Sequence, residues 1–516
     1  MKKRLLALLL TLSLLPLVGC ADLEGPEADP FSDLIPYYEP EDDELPGLRG
    51  FALPYFRQTT LDPITCPDGP HQVIGALLYD GLFALDGDFT PRPVLCGDYS
   101  YDASSLTCTA VIREDAVFSD GSSVTASDVV NTLQRARASE RYGQRLSDVE
   151  SISGSGHTVT IVLKRPNTSF QSRLDIPIVK SGTEGRTVPV GSGRYVWRTD
   201  EDTPYLAPNE YRWQDAPAPI DRIGLSVCKD ADSVAYAFYA REVQLIACDL
   251  TGTSTANVSG GGDYTDAPTA VMQYLGFNAK SKLFSDNALR AAMSLGIDRG
   301  GCVSAYLLGH GSAAQFPVSP ASPLYPAQLE RTYSPDDFAA AMEAAGYNKG
   351  AERPATLIVS AENAFRVQAA RKIAEDLSRY DVKITVSVLS WSRFREALAE
   401  GNYDLYYAEC RLTPDWDLRP LLDTDGPLNF SGYSDSKRLP QLLGNAAAAS
   451  PEERSAAVEA LCAYVQQMAP FAPICFKNQS VLLPSGAVDD IFPTASDPFC
   501  GLENWVLHWA PEATDK

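Results

Sequence analysis

Side chains that could make or break bonds are sparse in this 516-residue chain, which has eleven cysteines and only four histidines. No two cysteines stand in a CxxC pair, which argues against a zinc ribbon. His310 lies alone between Gly309 and Gly311, the setting of a solvated loop histidine and not of a metal ligand. There is no G-x-S-x-G elbow, no H-E-x-x-H pair and no G-x-x-x-x-G-K-[ST] phosphate loop. The expectation is a protein that recognises without reacting: no enzyme, no cofactor and no metal. In the stretch Thr413-Pro414-Asp415-Trp416-Asp417, Thr-Pro reads as an N-cap and first helical position, with acids favoured by the helix dipole.

The cysteines divide into one near the N-terminus and ten others. Lys2, Lys3 and Arg4 precede an apolar run over 5–15, too short for a bilayer span of roughly 20 residues. The Leu17-Val18-Gly19-Cys20 that follows resembles a bacterial lipobox, in which the cysteine thiol takes the lipid and becomes the mature N-terminus. A plain secretory signal with a stray cysteine is the alternative. Several acyl chains on Cys20 would anchor the chain stably, where one would not. Nothing after Cys20 reads as a second membrane segment, so a tethered, extracytoplasmic protein is expected. The ten remaining cysteines are an even number, which permits disulfides in an exported protein. Cys96 and Cys108 flank a hairpin turn and are the favoured pair; buried free thiols are the competing reading.

The formal charge of -24 excludes nucleic acid as a natural partner, since phosphate binding needs a cationic surface. Residues 21–48 are rich in Asp, Glu and Pro with neither Lys nor Arg, so they should form an extended spacer. Beyond it, 105–113 alternates as a strand, and 149–153 and 158–163 form a hairpin about Gly154-Ser155-Gly156. Thr125 to Asp128 reads as a helix cap leading into Val129, Val130 and Leu133. Further on the rhythm is strand, helix, strand: 223–228, 232–240 and 243–248 form one unit. A second run is 355–360, a helix with Phe365, Ala369, Ile373 and Leu377 on one stripe, 383–388, a helix over 392–400, and 404–408. Such alternation predicts an α/β protein with mainly parallel sheets covered by helices.

These blocks resemble the extracytoplasmic solute-binding proteins of the oligopeptide, dipeptide and nickel type, family 5. Leu61-Asp62-Pro63 with Leu78-Tyr79-Asp80-Gly81-Leu82 is similar to the family's opening. Phe118-Ser119-Asp120-Gly121 and Val124 to Val130 resemble its "FHDGTPVTAEDVV" signature, and Pro189 to Tyr195 its "PVGTGPY", with Arg194 for proline. Phe277-Asn278, Phe284-Ser285-Asp286, Leu289-Arg290-Ala291-Ala292 and Ile297-Asp298-Arg299 follow in order. A looser match over 333–347, then Tyr403-Asp404-Leu405 and Phe430 to Ser434, complete a likeness over 50–510. Most of these motifs speak for fold. Glycines at 121, 191 and 193 suit positive φ or close backbone approach, and Asp120 and Asp128 suit turn and cap roles.

The resemblance implies a periplasmic-binding-protein-like type II fold, two hinged lobes of mixed sheet plus an accessory α+β domain. It places the N-terminal lobe at 49–81, 187–274 and 478–512, the accessory domain at 82–186 and the C-terminal lobe at 275–477. It further implies a monomer that delivers a small solute, a short peptide first, to the permease subunits of an ABC importer. A signalling or pheromone receptor, or a binder of a nickel chelate or sugar, are the alternatives. In peptide-binding members an aspartate of the C-terminal lobe pairs with the peptide's α-ammonium; Asp415 falls there, with Trp416 as its aromatic neighbour. Where the family has tryptophan before that aspartate, this chain offers Glu409, Cys410 and Arg411. Trp391 matches a cleft tryptophan, and Tyr142, Tyr274 and Asn278 are further candidate ligand contacts.

Overall fold

The computed structural model describes residues 48–67, 69–214, 218–252 and 262–510. The signal segment, Cys20 and the spacer up to residue 47 lie outside the described residues. Leu48, where the spacer ends, is buried and bridges to Trp509.

The first sheet contains, in spatial order, strands Phe51–Tyr55, Ile223–Val227, Thr203–Pro208 and Tyr195–Asp200. Leu53, Tyr195, Leu206 and Ile223 turn one face inward onto Ile74 and Leu77 of the helix Gly69–Leu78. A second, antiparallel sheet contains Cys96–Asp102, Thr107–Ile112, Thr158–Leu163 and Val149–Ser155. Its two central strands bury every second residue, which is the pleat's period against a covering helix, here Ala126–Ala138. That helix starts as its sequence indicates. The Asp128 carboxylate accepts from the Thr125 amide at 2.9 Å and hydroxyl at 2.6 Å, and from the Ser181 amide at 2.8 Å. Asp128→Ala should therefore cost about 2 kcal/mol in urea unfolding.

The hairpin register corrects the proposed disulfide. Cys96 pairs with Ile112 and Cys108 with Tyr101, at opposite ends of the ladder. A bond needs Cα atoms within about 7 Å, and both thiols are free and buried. Burial pushes each of them up to about 11.

The third and largest sheet runs Ile246–Cys248, Phe471–Leu483, Asp263–Phe277, Leu405–Arg411, Arg353–Ser360, Val382–Leu389. Its last three strands are parallel and alternate with helices Ala364–Leu377 and Trp391–Glu400, as the sequence rhythm requires. Elsewhere pairing is antiparallel, apart from Phe51–Tyr55 with Ile223–Val227. The sheets are mixed, not mainly parallel. The unit read over 223–248 also divides: its first strand joins the first sheet, and its last pairs with Phe471–Leu483.

Candidate ligand-binding site

Two long strands carry the chain between separate apolar cores. Phe471, Ala472, Ile474, Cys475 and Phe476 pack in the C-terminal cores, whereas Val481 and Leu483 pack with the first sheet. Between them lies the polar run Lys477-Asn478-Gln479-Ser480. On the partner strand Met272, Tyr274, Leu275 and Phe277 pack in the C-terminal cores, and Asp266 to Pro268 pair with Ser480 to Asn478 of the polar run. The register shifts between Pro268 and Met272, and such an irregularity lets a strand bend. Two apolar bodies joined by a polar, irregular waist can swing without opening either core, which is the anatomy of a hinge.

The waist is charged. Lys477, only 2% exposed, ion-pairs with Asp249, just beyond Ile246–Cys248, and lies 3.6 Å from Glu409 of Leu405–Arg411. Gln273 Nε2 also donates to Glu409 at 3.0 Å, and Gln273 Oε1 accepts from Tyr407 OH at 2.8 Å. On the partner strand, Asp266 accepts from Ser480 Oγ at 2.6 Å and Asn478 Nδ2 at 3.1 Å, and faces His310 Nδ1 at 3.1 Å. His310 is buried with Tyr264 edge-on at 4.9 Å; the solvated histidine expected from its glycine neighbours is corrected by this packing.

Beyond Arg411 the chain makes a turn, with Trp416 N–H donating to Thr413 O at 2.9 Å and Trp416 at φ +56°. No helix starts at Thr413; the next one is Arg419–Leu422, so the capping reading of this stretch fails. The Asp415 carboxylate is buried. Its Oδ2 accepts from Arg173 Nε and Asn167 Nδ2, both at 2.7 Å, and Arg454 Nη2 donates to the Asp415 carbonyl at 2.7 Å. Burial raises the carboxyl's pKa, but the Arg173 charge and the hydrogen bonds outweigh it and hold it down at about 2. Arg173 Nη2 donates to Asp417 at 2.9 Å, and Arg419 Nε to the same carboxylate at 2.7 Å. Asp148 lies 3.6 Å from Arg173 and 3.5 Å from Arg419, and Arg165 reaches both Asp148 (3.1 Å) and Asp423 (3.6 Å). Thr168 adds bonds to the carbonyls of Ala447 (3.0 Å) and Ala449 (2.7 Å). Segment 148–173 is thereby sewn to segment 415–449.

Apart from Trp416, which lies on this turn, the other candidate residues do not converge here. Trp416 is core: its Nε1 donates to Ser322 Oγ at 3.0 Å, and its ring meets Phe89 and Phe476 edge-on at 5.0 and 5.9 Å. Trp391, 46% exposed, opens its helix and stacks on Phe394. Tyr142 is buried in the core of the second sheet, with the Arg141 guanidinium 5.3 Å from its ring centre. Tyr274 is wedged between Tyr406 and Phe471. Asn278 donates to the carbonyls of Tyr403 at 2.8 Å and Gly401 at 3.2 Å, so both residues serve the fold. Reading the sequence missed Arg173, Lys477 and Asp249; the only signal nearby was the departure from the family pattern at 409–411.

Residues 90–423, more than half of the chain, match the bacterial extracellular solute-binding proteins, family 5, in their middle region. The chain belongs to that family. Among its relatives is the glutathione-binding protein GsiB of Escherichia coli K12, 23% identical over 445 residues, covering 81% of this chain and 86% of that one. The family 5 fold is that of type II periplasmic binding proteins. A nickel ABC transporter protein from Bacillus halodurans superposes with a TM-score of 0.72 at 19% identity, covering 88% of this chain and 98% of its own. The oligopeptide-binding protein AppA of Bacillus subtilis, in complex with a nonapeptide, gives 0.61 at 20% identity, covering 90% and 99%. As a family 5 solute-binding protein, the chain takes up its solute outside the cytoplasm and works with an ABC importer.

Proposed function

We propose that this protein, tethered to the membrane by a lipid on Cys20, encloses a short peptide between its two halves and hands it to the importer's permease. The polar waist on the two crossing strands carries this reading, because a solute held there touches both halves. Only a ligand with such double contact favours the closed state, and no bond need be made or broken. The peptide class is supported by the ligands of GsiB and AppA, glutathione and a nonapeptide. Likeness to the nickel transporter protein favours a nickel chelate as the second reading. Mass spectrometry of what co-purifies should return a short peptide, and small-angle scattering should show contraction when it is added back. A verified ligand that leaves the scattering curve unchanged would sink the clamp. Cys20→Ala should move the protein from the membrane fraction to the medium; retention on the membrane would refute the tether.

A further inference from the structure

We infer that the turn over 413–417 is closed to solute because the chain fills it itself, and that the solute sits in a separate pocket at the waist that takes a small, non-acidic guest; this rests on the clamp reading above. The turn is filled from two sides. Arg173, 1% exposed, lies 2.7 Å from Asp415 and 2.9 Å from Asp417. A ligand cation at Asp415 would have to evict a guanidinium that has no water to go to. Phe89 covers Trp416, edge-on at 5.0 Å, from the turn that joins strands Phe83–Leu85 and Pro91–Pro93. Its ring is buried in the same core as Trp416 and Phe476, although Phe83 of its own hairpin packs in the core of the second sheet. Phe89 stands at φ +68°, a conformation that a bulky residue keeps only where its surroundings hold it. What remains beside Asp415, Asn167 and Arg454 is a cavity of about 20 Å³, room for a single water.

The turn that carries Phe89 also walls a much larger cavity, of about 390 Å³, through Asp86 and Gly87. Its other walls include Thr265 and Asp266 of the waist strand and Phe492 and Thr494 of the C-terminal loop. These walls belong to the two halves. Phe89 pins the turn in a C-terminal core, whereas Phe499 and Leu502 pin the loop in the core of the first sheet. A guest in this cavity therefore touches both, beside the strand that must bend. The volume is at the lower end of the range for small-molecule sites, about 300–1,000 Å³, which suits a dipeptide and not a long chain.

The lining chooses the class of guest. An ionised carboxylate only accepts hydrogen bonds, about four in all. Asp266 has three donors around it, Ser480, Asn478 and His310, and Asp86 accepts from Arg92 Nε at 3.3 Å. Both have acceptor capacity left for N–H or O–H groups of a guest. Among the described residues no lysine or arginine lines the cavity, so an acidic group would meet like charge without a counter-ion. Phe492, 69% exposed, offers an apolar face that sheds water when a guest covers it.

The test uses a neutral, a basic and an acidic dipeptide, each with one phenylalanine, and a neutral nonapeptide, read by calorimetry with scattering on every hit. The neutral and basic dipeptides should bind and contract the protein. The acidic one should bind at least about tenfold more weakly, and the nonapeptide should not bind. Phe492→Ala should weaken the dipeptides about tenfold, the loss of an aromatic contact, at an unchanged melting temperature because the ring is exposed. Asp86→Asn should narrow the gap between the acidic and neutral dipeptides. Asp415→Asn, compared at a temperature where it is fully folded, should keep affinity within about threefold. Full affinity in Phe492→Ala, a larger loss in Asp415→Asn, binding by no dipeptide, or contraction with the nonapeptide overturns the pocket assignment and leaves the clamp standing. Binding that Phe492→Ala weakens but that brings no contraction removes the clamp and keeps the pocket.

Discussion

Replacing Arg173 with methionine is expected to cost about 3–5 kcal/mol of folding stability, read as a lower urea midpoint at unchanged slope. The methionine fills most of the space, so little of the loss comes from a cavity. What is lost is the cation that holds Asp415 and Asp417 in a water-poor interface. The pH profile gives a second reading. Asp415 has a folded pKa of about 2, below the unfolded value of about 3.9. Its contribution to stability is therefore fully present above pH ~4 and is lost as pH falls toward 2. With Arg173 gone, burial is opposed chiefly by hydrogen bonds such as that from Asn167, so that acid limb should flatten and the protein should regain part of its stability on mild acidification. Asp415→Asn in the same background should restore stability, since a neutral side chain needs no counter-ion. A loss below 1 kcal/mol in Arg173→Met would mean that the ion cluster is solvated and not a seal.

This cluster also changes what Asp415 can do. From its position in the sequence it is a ligand anchor; from its surroundings it is a brace between segments 148–173 and 415–449. Asp415→Asn alone should thus act on stability first and on solute affinity second. The difference was invisible in the sequence because Arg173 lies 242 positions away, and no local pattern marks a partner at that distance. Short-range physics was legible. The Thr125–Asp128 cap, the 149–163 hairpin and the strand–helix alternation over 353–411 each depend on neighbours within a few residues, and each stands where its pattern puts it. The two crossing strands were not legible, because their apolar runs are interrupted by Asp266 to Thr269 and by Lys477 to Ser480. The same polar interruption that hides a strand from periodicity makes the hinge. Cys96 and Cys108 fail in a related way: flanking one turn says nothing of register, and register separates them.

Gly193→Ala should be the most damaging change of a single carbon, about 3 kcal/mol or more in urea unfolding. The reason is contact, since Gly193 is not among the glycines with positive φ. A Cβ there would sit 2.3 Å from Leu78 C, 2.4 Å from Leu77 O and 2.6 Å from Tyr79 N. All three are backbone atoms at the end of the helix Gly69–Leu78, and the Gly193 amide donates to Leu78 O at 2.9 Å. A flexible side chain could swing aside, but a helix terminus hydrogen-bonded to the very residue that crowds it cannot. Gly191, whose Cβ would lie 2.1 Å from Leu78 O, makes the same contact one step earlier, so the two glycines form a single docking strip for that helix. Gly50→Ala is the matched control: nothing lies within 4 Å of its Cβ position, and its effect should stay within about 0.5 kcal/mol. Because the strip belongs to the core of the first sheet and not to the waist, folded Gly193→Ala protein at low temperature should bind solute as well as the wild type. An equal loss of affinity and stability would show instead that helix docking sets the geometry of the waist.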